Sequence, residues 1–339
     1  MKKDALTYNA PVRMDFAGGT IDLWPLYNFF QPTVVVNMAI DLNATVTIRK
    51  TKDKETIKIS SIDQKQEVTL YPGNEKKIYF GSKLPLVRKV IEYYGGKGGI
   101  EIISDCKVPD GSGLGGSSSL NIALNVLCNH FYKKGFTDEE ILEVSKNLES
   151  QVLGIPTGTQ DYYPPLYGGV QIIHYLPEGI KREEVTIDTN KLLNRLVLVY
   201  SHKPKFHGIN NWDVYKSCID GNKMLMNKMK NLSEISLKMA EAFRNSDFDE
   251  IGKLINEEWQ KRRGIAKNIS TPLIEQMITA GRQSGAMAAK VCGAGGGGCL
   301  FFYCNEGTKE DVQNTVASLG GTILDFTIVK KRPVIIKGA

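Results

Sequence analysis

Three acids, one arginine and a run of glycines and serines are the residues of this 339-residue chain whose types and spacing could do chemistry together. The run is Val108-Pro109-Asp110-Gly111-Ser112-Gly113-Leu114-Gly115-Gly116-Ser117-Ser118-Ser119. Its four glycines allow tight turns and close backbone approach, and its four serines supply hydroxyls. The apolar, helix-patterned residues 120–127 behind it present the positive end of a helix dipole. That combination can cradle a phosphate; the same composition also serves plain loops. The alternating residues 99–104 enter the run as a strand and a helix leaves it, which is the context a cradle requires. No lysine occurs between Lys107 and Lys133, and the run does not end in the Gly-Lys-Ser/Thr of a Walker loop. A phosphate here would be held by backbone N–H groups, the helix dipole and a hydroxyl-bound metal.

Arg13 stands on a strand-like stretch that Gly18-Gly19 breaks, and Asp22 follows the glycines. If Arg13 points into a buried site it needs an acidic or phosphate partner, and Asp22 is placed to accept hydrogen bonds from a polyol. A surface arginine and a turn-forming aspartate fit the same residues. Glu149 lies near a helix end and could ligate Mg²⁺ or be an exposed helical acid. Asp161 sits in a glycine- and aromatic-rich turn, where burial could tune it as a base. A second glycine run, residues 293–298, has five glycines and one alanine between two strand-like segments. A hairpin needs one or two, so this backbone is expected to approach a ligand or another domain closely.

The elements that must position these residues follow from periodicity. Residues 33–38, 43–49, 56–60 and 67–71 read as antiparallel strands with polar turns between them. Residues 83–94 form an amphipathic helix, and 137–153 a helix capped by Thr137 with acids in its first turn. A strand at 170–175 closes this half, with 177–190 as a crossover. The second half opens on a buried strand at 196–200. Helices at 211–231, 233–245, 247–265 and 272–284 follow, then the second glycine run, a helix at 309–319 and a strand at 322–329. The length exceeds the roughly 250–300 residues at which single cores stop growing, so two domains are expected, 1–190 and 191–339, of α+β class.

With 42% hydrophobic and 24% charged residues, the composition is that of an ordinary soluble globular protein. No window approaches the roughly 20 apolar residues of a membrane helix, and the N-terminus lacks a secretion signal, so a cytoplasmic protein without a membrane partner is expected. Six cysteines without C-x-x-C spacing read as reduced, mostly buried thiols. The net charge of +6 suits an anionic substrate or nucleotide better than nucleic acid. Around residues 223–230, Met224, Leu225, Met226 and Met229 read as core and the lysines as a solvated face. Lys203, Lys205 and His207 could bind a substrate phosphate or form a solvated loop.

Pro11-x-Arg13 with Phe16-Ala17-Gly18-Gly19 and Asp22, the Pro109 to Ser118 run, and Lys290-Val291-Cys292-Gly293-Ala294-Gly295-Gly296-Gly297-Gly298 resemble, in this order, the three motifs of the GHMP kinase superfamily. The first motif and Trp259-Gln260-Lys261-Arg262-Arg263 look most like the sugar-kinase branch, which holds heptose 7-phosphate kinases and the kinase domain of fucokinases. The resemblance implies a two-domain α+β fold, N-terminally like ribosomal protein S5 domain 2 and C-terminally ferredoxin-like, with the active site in the cleft. It implies ATP and Mg²⁺ as cofactors, and a sugar or sugar phosphate as substrate, phosphorylated at a hydroxyl, the anomeric one in this branch. By motif position, Pro109, Gly111, Ser112, Gly113, Leu114, Gly115, Gly116, Ser117 and Ser118 bind ATP, and Ser117 and Glu149 bind the metal. Asp161 is the catalytic aspartate with Arg13 as its basic partner, while Gly18, Gly19, Asp22, Gly295 and Gly296 line the substrate. Residues 79–85 are candidates for adenine contacts, which the motifs do not assign. Gly116 replaces the first serine of the usual Gly-Leu-Gly-Ser-Ser, and Thr20-Ile21-Asp22 stands where relatives often have Gly-Thr-Asp. A mevalonate- or homoserine-type kinase and a non-catalytic ligand sensor are the competing readings.

Overall fold

The computed structural model describes residues 5–72, 83–202, 211–266 and 268–338. The first sheet grows around one long strand. β1 (Ala5–Ala17) pairs antiparallel with β2 (Thr33–Lys50) along its length. The far edge of β2 is shared: its first part pairs with β6 (Val170–Leu176) and its last part with β5 (Ile100–Cys106). β3 (Ile57–Ser61) and β4 (Gln66–Leu70) extend the sheet beyond β5, and β7 (Gly179–Val185) extends it beyond β6. One face is covered by α1 (Pro85–Tyr93), α2 (Gly116–Tyr132), α3 (Asp138–Leu153) and the short α4 (Tyr163–Tyr167), with Ile122, Leu124, Leu127 and Leu148 in a common core with Val46, Ile48 and Ile102. After α5 (Thr189–Asn194) the chain enters a second sheet of β8 (Leu196–Tyr200), β9 (Ala286–Val291), β10 (Cys299–Cys304) and β11 (Thr322–Ile323).

That sheet is antiparallel in the order β11-β8-β10-β9, or fourth-first-third-second, the ferredoxin-like arrangement. Its two faces separate with the period of two that strands impose. Val197, Val199, Leu300 and Phe302 pack on α9 (Pro272–Gln283) and α10 (Lys309–Ser318). Leu196, Leu198, Phe301 and Tyr303 pack with α7 (Lys223–Arg244) and α8 (Phe248–Arg262), which follow α6 (Asn211–Ile219). The same cluster includes Val12, Met14 and Phe16 of β1, and the Phe16 ring lies 4.8 Å from Phe243 and 5.8 Å from Phe301. The two sheets therefore share one continuous core.

Several expectations are corrected. Residues 33–38 and 43–49 belong to one strand, because Asp41 spends its carboxylate on Thr327 N (2.7 Å) and Thr327 Oγ1 (2.8 Å) instead of a turn. β3 pairs with β5 in parallel, through the crossover that β4 and α1 provide. Residues 177–190 are no crossover: β7 forms a hairpin on β6, and Asp188 caps α5 by accepting from Asn190 N at 3.0 Å. α7 runs unbroken past 232, since Ser233 donates to Phe30 O (3.0 Å) and caps nothing; the break lies earlier, where Asn222 accepts from Leu225 N. Met224 is exposed, whereas Leu225 and Met229 are core. Five of the six thiols are buried, and Cys106 is partly so.

The expected strand 322–329 shrinks to β11, after which the chain crosses back to the first sheet. Ile328 bridges Ile40, Gly169 N donates to Val329 O, Arg332 forks onto Asp138, and β12 (Ile336–Lys337) pairs with β1. Among the described residues, no helix is long and apolar enough to cross a membrane.

Candidate active site

β5 leads into the loop of residues 107–115, and α2 starts at Gly116 behind it. The cap residue Gly115 is left-handed (φ 79°) and, among the described residues, no side chain caps the helix, so its first N–H groups are open to a ligand. Within the loop, Ser112 N donates to Pro109 O at 3.0 Å, and Arg13 N donates to Leu114 O at 3.0 Å, which ties the loop to β1. Ser112, Leu114 and Ser118 are buried. A Cβ on Gly116 would stand 2.8 Å from Val108 Cγ2, so packing beneath the helix start accounts for glycine where a serine is usual.

The second glycine run meets this loop backbone to backbone. A Cβ on Gly113 would collide with Cys292 O, one on Gly293 would reach Gly113 Cα at 2.6 Å, and Cys299 N donates to Ser112 O at 2.8 Å. The excess of glycine is thus explained by the approach of one domain's loop to the other's. Gly295 and Gly296 rest on the segment after α8, with Gly296 N donating to Ile269 O at 2.9 Å.

Asp161 occupies the middle of a single 3-10 turn, Gln160–Tyr162, between α3 and α4. Arg13 Nε lies 2.7 Å from Asp161 Oδ1, and Arg13 Nη1 donates to Gly113 O. Burial works against the Arg13 charge, but the carboxylates of Asp161 and Asp15 outweigh it and hold the guanidinium above its ordinary pKa. Asp161 remains 27% exposed, enough for a substrate to reach, and a Cβ on Gly115 would stand 3.5 Å from its Oδ2. Asp161, its partner Arg13 and the glycine loop therefore converge on one point.

Glu149 is buried near the end of α3, and the exposed-acid reading is excluded. Its Oε2 accepts from Tyr162 OH at 2.8 Å and Asn121 Nδ2 at 3.4 Å, and the Ser117 and Ser118 hydroxyls favour its charged form. Burial raises its pKa against those donors. A hydroxyl and one carboxylate are the hard oxygen ligands that suit a Mg²⁺ completed by water and phosphate. Among the described residues, no group of three or more His, Cys, Asp or Glu forms a metal cage of the protein's own.

Asp22 lies beneath this arrangement. Its Oδ2 accepts from Gln160 N at 3.0 Å, and it is 3% exposed. Burial lifts its pKa to about 7, opposed by the Gln160 N–H and helped by Asp161 and Asp15. Gly18 is left-handed (φ 91°) against Val34, and Gly19 leaves room for the Gln160 amide and Asp15 carboxylate that a Cβ would strike. Since the folded protein holds the Asp22 proton more tightly than the unfolded chain, its contribution is full below about pH 4 and is lost as pH rises to about 7. Asp22→Asn, which cannot ionise, should gain on the wild type over that interval by at most on the order of 4 kcal/mol in urea melts. Parallel curves would contradict this assignment.

The sequence reading missed a buried charge cluster that joins the domains. Lys290 Nζ lies 3.2 Å from Asp15 Oδ2 and 3.0 Å from Glu258 Oε1, and it donates to Phe16 O at 2.9 Å. Arg262 Nη1 approaches Asp15 Oδ2 at 3.8 Å while its Nη2 donates to Gly293 O. Although burial opposes it, Lys290, Arg262 and Arg13 hold the Asp15 pKa below its usual value; for Glu258 burial prevails and raises it. Asp15 could have been noticed, being two residues from Arg13 on one strand and so on the same face. Lys203, Lys205, His207 and most of residues 79–85 lie outside the described residues.

Family models for the "GHMP kinases N terminal domain" and "GHMP kinases C terminal" match residues 83–169 and 239–321. This chain belongs to the GHMP kinases, as the resemblance implied, and it has their two-domain fold. A D-glycero-alpha-D-manno-heptose 7-phosphate kinase of Campylobacter jejuni is 24% identical over 95% of this chain and 96% of its own length. A mevalonate kinase of Methanocaldococcus jannaschii is 27% identical over 82% of this chain and 87% of its own length. In fold, the chain is similar to the crystal structure of a D-glycero-D-manno-heptose 1-phosphate kinase from Bacteroides thetaiotaomicron, with a TM-score of 0.78 at 21% identity over 98% of this chain and 99% of that one.

Proposed function

We propose that this protein is an ATP- and Mg²⁺-dependent kinase that phosphorylates a hydroxyl of a sugar or sugar phosphate, the anomeric one by preference. The observation that carries the reading is the 2.7 Å Arg13–Asp161 pair held against Gly113 and Gly115 at the uncapped start of α2. Phosphoryl transfer asks a protein for positioning and charge neutralisation more than for covalent chemistry. The free N–H groups at the start of α2 receive the phosphates, Asp161 accepts the hydrogen bond of the attacking hydroxyl, and Arg13 orients the Asp161 carboxylate through its 2.7 Å bond. Bound through Ser117 and Glu149, Mg²⁺ supplies charge neutralisation on the transferring phosphates. Residues 1–190 would carry the cradle and 191–339 the opposing wall, with Gly295, Gly296, Gly18 and Gly19 around the acceptor and Asp22 buried behind the turn that carries Asp161. Six free thiols and the need for ATP support a cytoplasmic location.

The heptose-phosphate relative supports a sugar phosphate as acceptor. ADP release over a panel of aldoses, aldose phosphates, mevalonate and homoserine tests the reading. Turnover on a sugar or sugar phosphate is expected. Turnover on mevalonate or homoserine alone would reject the substrate class, and nucleotide binding without any turnover would reject the enzyme in favour of a sensor.

A further inference from the structure

The turn Gln160–Tyr162 sends three consecutive side chains to three different places. Gln160 reaches Asn37, whose Nδ2 lies 3.3 Å from its Oε1, and its backbone N–H holds Asp22. Asp161 pairs with Arg13. Tyr162, fully buried, turns the other way and donates its phenol proton to Glu149 Oε2 at 2.8 Å, with the Thr157 hydroxyl 3.2 Å from the same phenol. Asn121 Nδ2 approaches that same oxygen at 3.4 Å while making a shorter bond, 2.7 Å, to Ser145 O. Both donors fall on Oε2, so they anchor the carboxylate through that oxygen and leave Oε1 clear of them.

We infer that Tyr162 is the positioning residue of the metal site: its hydroxyl aims the Glu149 carboxylate and ties it, through one peptide bond, to the residue that meets the acceptor hydroxyl. This rests on Glu149 and Ser117 being the Mg²⁺ ligands. A buried carboxylate carried on a flexible side chain can rotate unless an outer partner holds it, and such partners commonly set metal affinity by about 10–100-fold. The spacing between Asp161 and Glu149 is then a property of the turn backbone. An acceptor hydroxyl and a metal-bound nucleotide placed from the same short segment keep their register when the surrounding loops move.

The test is Tyr162→Phe, which removes one oxygen and no volume that other side chains must refill. Mn²⁺ binding to the protein–ADP complex, followed by electron paramagnetic resonance, reads the metal site without turnover. The dissociation constant should rise by about tenfold or more. Turnover lost at low Mg²⁺ should return at high Mg²⁺, with the acceptor KM unchanged. Asn121→Ala, which removes the longer bond, should weaken Mn²⁺ less than Tyr162→Phe does; should that variant fold poorly, the Tyr162→Phe titration stands alone. Mn²⁺ affinity within twofold of wild type in Tyr162→Phe, or a turnover loss that no Mg²⁺ concentration restores, would overturn the inference. Glu149→Gln separates the two layers. If it binds Mn²⁺ like wild type, the ligand assignment fails as well; if it loses Mn²⁺ while Tyr162→Phe keeps it, only the role of Tyr162 fails.

Discussion

Replacing Asp161 by Asn lowers turnover by about a hundred- to ten-thousand-fold while leaving ATP affinity within a few-fold of wild type. The substitution preserves shape and leaves one acceptor oxygen for Arg13 Nε, but it removes the carboxylate charge and the second oxygen that Arg13 Nη2 faces. An amide is a poorer acceptor for the acceptor's hydroxyl proton and leaves the Arg13 guanidinium, itself buried, without its main counterion. The cradle is built from the backbone of residues 111–115 and the start of α2, none of which depends on the Asp161 charge, so nucleotide binding survives. Equal losses in nucleotide affinity and turnover would mean that Asp161 holds the fold of the site and does not act on the acceptor. Steady-state turnover together with an independent nucleotide titration distinguishes the two.

Lys290→Met should destabilise the protein by about 3–5 kcal/mol, because it leaves Asp15 and Glu258 buried without the ammonium that pairs both. Phe16 O loses its donor in the same step. The cluster is otherwise balanced, with Lys290 and Arg262 set against Asp15 and Glu258. Neutralising one acid together with the lysine therefore restores the balance. Lys290→Met combined with Glu258→Gln should be more stable than Lys290→Met alone, although two charges fewer remain. A double variant less stable than the single one would show that the amine matters for its packing and not for its charge. Urea denaturation of the three proteins gives the comparison directly.

These two expectations differ in how far the sequence announces them. The cradle, Arg13 and Asp161 were legible because each sits in a segment of unusual composition: glycines and serines before an apolar helix, an arginine in an apolar strand, an acid among glycines and aromatics. Their convergence was read from the family motifs, and the structure gives it a geometry. The Lys290 cluster was not legible in that way, since its bonds to Asp15 and Phe16 span 275 and 274 residues. A lysine in an alternating strand looks like a solvent-facing residue until the opposite domain is in place. The same separation explains β2: the polar turn expected between 33–38 and 43–49 is absent because Asp41 finds its partner, Thr327, 286 residues away. Gly116 illustrates the reverse case. It looked like the loss of a useful hydroxyl, and Val108 beneath it supplies a packing reason for glycine. Asp22 was expected to face a polyol; it is 3% exposed and held by Gln160 N, so any role toward the acceptor passes through the same turn that carries Asp161.

The measurement that tests the account most directly is phosphorus NMR of the products formed from ATP, Mg²⁺ and D-glycero-D-manno-heptose 7-phosphate, with a free aldose and mevalonate in parallel reactions. A new phosphate signal coupled to an anomeric proton is expected in a sugar reaction, absent when Asp161→Asn replaces the wild type. A phosphorylated product from mevalonate alone, or the same sugar signal at undiminished rate from Asp161→Asn, would contradict it.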